Sequence, residues 1–394
     1  MVSSLAILIA NRAVRTFGYG FTSVLLAIYL SLLGGDPAIV VASLGVSLLS
    51  GAVLNVLVGY YGDRFGRRRA MVAFGLLMTV AGTVLAIAPS LPVAMIALLL
   101  GATSPTGTEV SPFLSVEQSI VAEVARAGHR TRAFSVYNLL GSLGGAAGAL
   151  ASGIPAVLGG PSPVDAIRPM FALYSVLGLV AAALARSLPA TVEIERKTEP
   201  ASLSPTSRSR VARIAGLFAV DSFAGGFVIQ SFVSFWFYTT YPESRAVLGL
   251  IFFAAGVLSA FSFLVAARLG ERFGLLETMV FTHIPSNVLL MAVPLAPTFS
   301  LALAAYLGRM ALSQMDVPTR QAYLAGIVSR EERTAANATT NTARNISQAA
   351  GPFSAGTIVS ALGLSVSFFI GGGLKIMYDL AIFATFRTVR PEGV

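Results

Sequence analysis

The sequence predicts an all-α membrane protein: twelve transmembrane helices in two pseudo-symmetric six-helix bundles, with both termini cytoplasmic. Three observations predict it. Only 11% of the 394 residues are charged and 55% are hydrophobic, with a mean hydropathy of +0.78; a water-facing domain carries about 25% charged residues. Apolar stretches near the ~20 residues that cross the hydrocarbon recur from one end of the chain to the other. The second half of the sequence also repeats features of the first.

Breaks at Gly, Pro and charge clusters separate the spans in order. Span 1 covers 5–33 and runs straight on from the N-terminus, so no cleavable secretory signal is expected. Spans 2 to 6 cover 37–61, 70–88, 92–117, 134–157 and 170–188. Residues 189–210 are polar and rich in proline and serine, and read as a cytoplasmic linker between a first bundle (1–188) and a second (211–394). Spans 7 to 12 cover 211–237, 246–267, 276–295, 299–327, 335–362 and 364–386.

Loop charge assigns the sides. The loops after spans 2, 4, 6, 8 and 10 and the C-terminus hold most of the 27 lysines and arginines, whereas the opposite loops hold only Arg168 and Arg245. Positive loops stay in the cytoplasm. The net charge of +9 is therefore a topology signal, and no nucleic-acid partner is expected. The chain has no cysteine, which excludes disulfides and thiolate metal sites.

The repeat is legible residue by residue. "RTFGYGF" from Arg15 matches "DSFAGGF" from Asp221, and "GDRFG" at Gly62 matches "GERFG" at Gly270. "TEV" ending at Val110 matches "MDV" ending at Val317, and the spacing Arg130 to Asn138 recurs as Arg333 to Asn341. Offsets stay between 203 and 208 residues. Two such halves suit a transporter that rocks one against the other around a central site.

The loop "GYYGDRFGRR" carries Gly59, Asp63, Arg64, Gly66, Arg67 and Arg68 at the spacing G-x-x-x-D-R-x-G-R-R, and a degenerate copy follows span 8 with Ala267, Glu271, Arg272 and Gly274. In these features the chain resembles the major facilitator superfamily over essentially its whole length. Chemically, Gly59 allows a neighbouring helix to come close, and Asp63 is an anion suited to a helix N-terminus, where free N–H groups carry about half a positive charge. The resemblance implies that this helix is span 11, starting near Thr334, and that Gly59, Asp63, Arg64, Gly66 and Arg67 form a conformational latch. Arg67 is expected to neutralise Glu117 or Glu123 at the end of span 4. Antiporters of the family often carry a proline-containing glycine signature in span 5. Here Gly141, Gly144, Gly145, Gly148 and Gly153 have no proline among them, Gly351-Pro352 sits in span 11 instead, and the glycines read as a helix-packing stripe.

Charged groups inside spans are costly, so each is a candidate site. They are Arg12 and Arg15 in span 1, Glu109 in span 4, Asp221 in span 7, Arg309, Asp316 and Arg320 in span 10, Arg344 in span 11, and Lys375 and Asp379 in span 12. The resemblance implies that spans 1, 4, 7 and 10 line the cavity. Repeat logic suggests two cross-helix pairs, Arg15 with Glu109 and Asp221 with Arg320. Arg12 reads equally as a side chain snorkelling to the headgroups. Lys375 and Asp379, four residues apart, read as a mutually neutralising pair. In span 11, Asn337, Asn341, Arg344, Asn345 and Gln348 form a polar stripe that cannot face lipid. In span 4, Pro105, Gly107 and Pro112 around Glu109 suggest a kinked or unwound helix.

The expectation is a secondary active transporter in the cytoplasmic membrane, moving a small solute by alternating access, proton-coupled, with efflux of small organic compounds favoured. Glu109, Asp221, Asp316 and Glu117 are the proton-carrying candidates; Arg15, Arg320, Arg344, Asn341, Asn345 and Arg309 are the solute-binding candidates. Its partners would be a small molecule or ion, protons and the bilayer, with the chain a monomer that needs neither cofactor nor metal. A facilitator or symporter for an anion or a metal ion is the alternative, and a transport-inactive receptor on the same scaffold a third. An enzyme is not expected: no G-x-x-x-x-G-K-[ST] or H-E-x-x-H motif is present, and His129 and His283 lie in different halves.

Overall fold

The structure, a computed structural model, describes residues 4–107, 113, 116–118, 120–121, 130–193, 203–242, 247–329 and 332–389, with side chains at 58–65, 130–135, 191, 206, 264, 267, 325 and 334 left aside. Among these residues the regular structure is entirely helical, and nine helices are long and apolar enough to cross a membrane. Large apolar side chains such as Ile87, Leu99, Val157, Phe261 and Leu362 are exposed, an outer surface that suits lipid.

The chain divides into two compact units. The first contains Met1–Arg196 and Ile229–Phe253; the second contains Lys197–Val228 and Ala254–Val394. In the first unit lie α1 (Ser4–Leu32), α2 (Pro37–Phe65), α3 (Arg67–Ile87), α4 (Leu91–Leu99), α5 (Arg130–Ala151), α6 (Ile154–Leu158) and α7 (Pro163–Arg186). α1 packs against α5 and α7, and α3 lies along α7. A Cβ on Gly148 of α5 would fall on the Phe17 carbonyl of α1, so only glycine permits this approach. The glycine stripe of span 5 is thus a packing surface.

The second unit opens with α8 (Pro205–Gly226), which packs on α14 (Arg333–Leu362) and α15 (Val366–Phe386). Between them come α11 (Leu275–Ala292), α12 (Phe299–Ser313) and α13 (Asp316–Gly326). α8 meets α14 as α1 meets α5: a Cβ on Gly351 would lie 2.6 Å from Gly226 Cα. The sequence repeat therefore has a packing counterpart. α9 (Gln230–Thr240) belongs to the first unit, where the Ser231 and Ser234 hydroxyls donate to the Ser23 and Val24 carbonyls of α1 at 2.7 and 2.8 Å. α10 (Leu248–Phe273) begins in the first unit and ends in the second.

Three predicted spans are interrupted. Span 4 stops at Leu99, and residues 100–107 are irregular, with Gly101 and Gly107 at positive φ; the break comes before Glu109. Span 7 breaks at 227–229, where Ile229 is extended after Gly225-Gly226. Span 10 breaks at Gln314–Met315. There Pro318 lacks the N–H that would bond the Gln314 carbonyl, and its ring crowds that oxygen. These are three of the four spans that the family resemblance placed around a cavity.

Helix starts also needed partners from distant sequence. Gly66, at φ 94, turns the chain from α2 into α3. The orphan N–H groups of Arg67 and Arg68 then donate to the Glu193 carboxylate at 2.7 and 3.1 Å.

Candidate functional site

Each unit encloses one cluster of charge. In the first, Arg15 of α1 binds Glu117 in a two-pronged pair, with Nη1 to Oε1 at 2.7 Å and Nη2 to Oε2 at 2.8 Å. Tyr137 of α5 donates its hydroxyl to Glu117 Oε2 at 2.6 Å. Arg15 also donates to Asn11 Oδ1, and Asn11 donates to the Ala181 carbonyl of α7 at 2.8 Å. The Phe113 ring lies 4.0 Å from the Arg15 guanidinium. Arg15 and Glu117 are both 0% exposed.

This arrangement bears on three expectations. Among the described residues Arg15 pairs with Glu117; its expected partner Glu109 lies outside them, as does Glu123. For Arg67, one expected partner, Glu117, is bound by Arg15 and Tyr137, and the other, Glu123, lies outside the described residues; the Arg67 side chain is buried and its backbone N–H donates to Glu193. Arg12 does not reach outward but stacks over the Tyr137 ring at 4.0 Å, a cation–π contact. Of the other latch residues, Gly66 makes the turn into α3, while the side-chain positions of Gly59, Asp63 and Arg64 lie outside the described set.

The second unit holds a larger cluster. Lys375 Nζ of α15 lies 2.6 Å from Asp221 Oδ1 of α8. Arg320 of α13 lies 3.5 Å from Asp221 Oδ2 and 2.8 Å from Asp316 Oδ2 on its own helix. Asp221 and Arg320 do meet, but each has a nearer partner. His283 of α11 places Nδ1 2.9 Å from Asp379 Oδ1 of α15, and Asn287, one turn further along α11, donates to Asp379 Oδ2 at 3.5 Å. The expected Lys375–Asp379 pair does not form: Lys375 reaches α8 and Asp379 reaches α11. The side chains of Asp221, Asp316, Arg320, Lys375, Asp379, His283 and Asn287 are all buried.

Two arginines stand apart from these pairs. Arg344 of α14 donates through Nε to Ser222 Oγ at 3.0 Å. Arg309 of α12 approaches Met310 Sδ at 3.2 Å through Nη1, and its Nε is buried without a hydrogen-bond partner among the described residues. Along α14, Asn337 and Asn341 are exposed and Arg344, Asn345 and Gln348 half-buried. Sequence reasoning missed His283 and Asn287. The signal was there: a histidine and an asparagine four apart in the middle of a predicted span. No group of three or more His, Asp or Glu placed to hold a metal ion occurs among the described residues.

Membrane-length helices enclosing buried, partnered charge define a class, the polytopic membrane proteins with a transporter fold. The chain belongs to the major facilitator superfamily, whose profile matches residues 8–313 and 238–394. It is 22% identical to an uncharacterised membrane protein of Saccharomyces cerevisiae, over 96% of this chain and 93% of that protein. Among solved structures it resembles the nucleoside transporter NupG, at 13% identity over 98% of this chain and 100% of that one, with a TM-score of 0.78. The inward-open xylose transporter XylE from E. coli is similar at 16% identity, 98% and 96% coverage and a TM-score of 0.73. A bacterial homolog of the human lysosomal transporter Spinster, inward-facing and occupied, follows at 14% identity, 99% and 98% coverage and a TM-score of 0.75. At these identities the structural likeness is one of fold.

Proposed function

We propose that the protein is a proton-coupled secondary transporter. It moves a small solute across the cytoplasmic membrane by alternating access of two six-helix halves, as a twelve-span monomer with cytoplasmic termini. The observation that carries this reading is the cluster around Asp221. While ionised, Asp221 holds Lys375 of α15 at 2.6 Å and Arg320 of α13 at 3.5 Å. Once protonated it no longer neutralises either cation, so one proton loosens contacts among three helices. The breaks in spans 4, 7 and 10 support the same reading, because interrupted helices are where transporters place solute and coupling ions.

Within this reading Asp221 and Asp316 are the coupling groups, with Glu109 a further candidate. Glu117 accepts from two guanidinium nitrogens and a tyrosine hydroxyl, and serves to hold α1 and α5 together. The loop from Gly59 to Arg67 acts as the latch between conformations.

The test uses purified protein in liposomes. A library of small solutes is screened for counterflow, and any hit is measured in both directions with and without an imposed pH gradient. A gradient should drive net flux in the wild type, and Asp221→Asn should lose that drive while keeping some exchange. Flux indifferent to the gradient for every exchanged solute would remove the coupling.

A further inference from the structure

We infer that the solute is an oxyanion, an organic acid or phosphate ester bound by Arg344 and Arg309; this rests on the transporter reading above. The second unit's interior carboxylates each have a partner: Asp221 has Lys375, Asp316 has Arg320, and Asp379 has His283. Arg344 and Arg309 have no carboxylate within 4.0 Å among the described residues; their side-chain contacts are a serine hydroxyl and a methionine sulfur. An unmatched guanidinium in the middle of a span is expensive, and an arriving anion relieves that cost.

The two arginines share a depth. Arg344 is eleven residues into α14, roughly 16 Å from its start, and Arg309 is ten residues into α12, roughly 15 Å from its start. On the twelve-span reading these helices begin on opposite sides of a core about 30 Å thick, so both arginines stand near its middle. Both are half-buried, unlike the buried Arg320 and Arg15.

The surroundings of Arg344 suit a ligand better than lipid. Asn341, Asn345 and Gln348 flank it on α14 at helical spacing, and Asn341 is exposed. Such a face needs water or a polar ligand. Ser222 holds Arg344 through Nε, leaving the two terminal nitrogens as the fork that fits a carboxylate or phosphate. The amides beside it can donate to the same oxygens.

The experiment measures thermal unfolding of the purified full-length protein at one pH, with no gradient. The panel comprises acetate, succinate, citrate, inorganic phosphate and glycerol phosphate as oxyanions, glucose and uridine as neutral solutes, and choline as a cation, all at matched ionic strength. At least one oxyanion should raise Tm in a saturable manner, the neutral and cationic compounds should not, and Arg344→Gln and Arg309→Gln should each abolish the rise. Arg344→Lys should retain a smaller shift, because a point charge replaces the fork. The inference is overturned if no oxyanion shifts Tm, if only a neutral or cationic compound does, or if the shift survives in both glutamine variants. Saturable oxyanion binding without gradient-driven flux would sink the proton coupling alone; gradient-driven flux of a neutral solute would sink the anion alone.

Discussion

Lys375 and Asp221 meet at 2.6 Å between α15 and α8, and the carboxylate one turn along from Lys375, Asp379, turns instead to His283. Removing one member of a buried pair leaves the other charge uncompensated, at a cost of about 3–5 kcal/mol, whereas removing both is often tolerated. Asp221→Asn should therefore destabilise the protein, and Lys375→Met added to it should restore much of the loss. Arg320→Gln should rescue less, because Arg320 keeps Asp316 at 2.8 Å. Denaturant unfolding in detergent gives the comparison; equal rescue by both second substitutions would contradict the primacy of Lys375.

Glu117 is the hinge of the first unit's cluster. Glu117→Gln leaves Arg15 buried with a neutral partner and should cost about 3 kcal/mol or more. Tyr137→Phe removes one hydrogen bond to that carboxylate and should cost about 1–3 kcal/mol. Unfolding midpoints of the two variants should rank in that order, and the reverse order would count against the two-pronged pair as the main contact.

The start of α14 carries a pH signature. Glu332 accepts from the Ser204 N–H at 2.6 Å and the Ser207 hydroxyl at 2.7 Å. These bonds lower its pKa to about 2, led by the Ser204 backbone donor. A depressed folded pKa gives stability that is present above the ordinary value of 4.5 and is lost as pH falls from there towards about 2. Stability measured over that range should fall less steeply in Glu332→Gln than in wild type; identical slopes would show that the bonds do not form.

Gly148 and Gly351 sit at corresponding helix contacts. Alanine at either must displace backbone, and should cost about 1–3 kcal/mol. An alanine at Gly373, whose Cβ would meet nothing within 4 Å, serves as the control with little loss. Similar stability for Gly148→Ala and the control would mean that α1 and α5 are further apart.

Much of the architecture was open to a sequence reading because it is written in local terms. Apolar length marked the spans, and fixed offsets marked the repeat that reappears as Gly148 of α5 against α1 and Gly351 of α14 against α8. Charge within apolar runs identified Arg15, Asp221, Asp316, Arg320 and Arg344 as interior groups. Pro105 and Gly107 announced the break in span 4, while the break at Gln314 went unread although Pro318 stood in view.

By itself, then, the sequence determined the class of protein, its all-helical make-up and the identity of the interior charges, since hydropathy and periodicity depend only on neighbours along the chain. Only the tertiary structure decided which charge meets which. Partner choice depends on how each helix is rotated about its axis and where it breaks. Lys375 and Asp379 are adjacent on one helix, yet their side chains reach α8 and α11. Arg15 and Glu117 stand 102 positions apart and share two hydrogen bonds. Inside a membrane a charge goes to whichever opposite group the packing brings within reach, because the low dielectric makes that contact worth more than proximity along the chain.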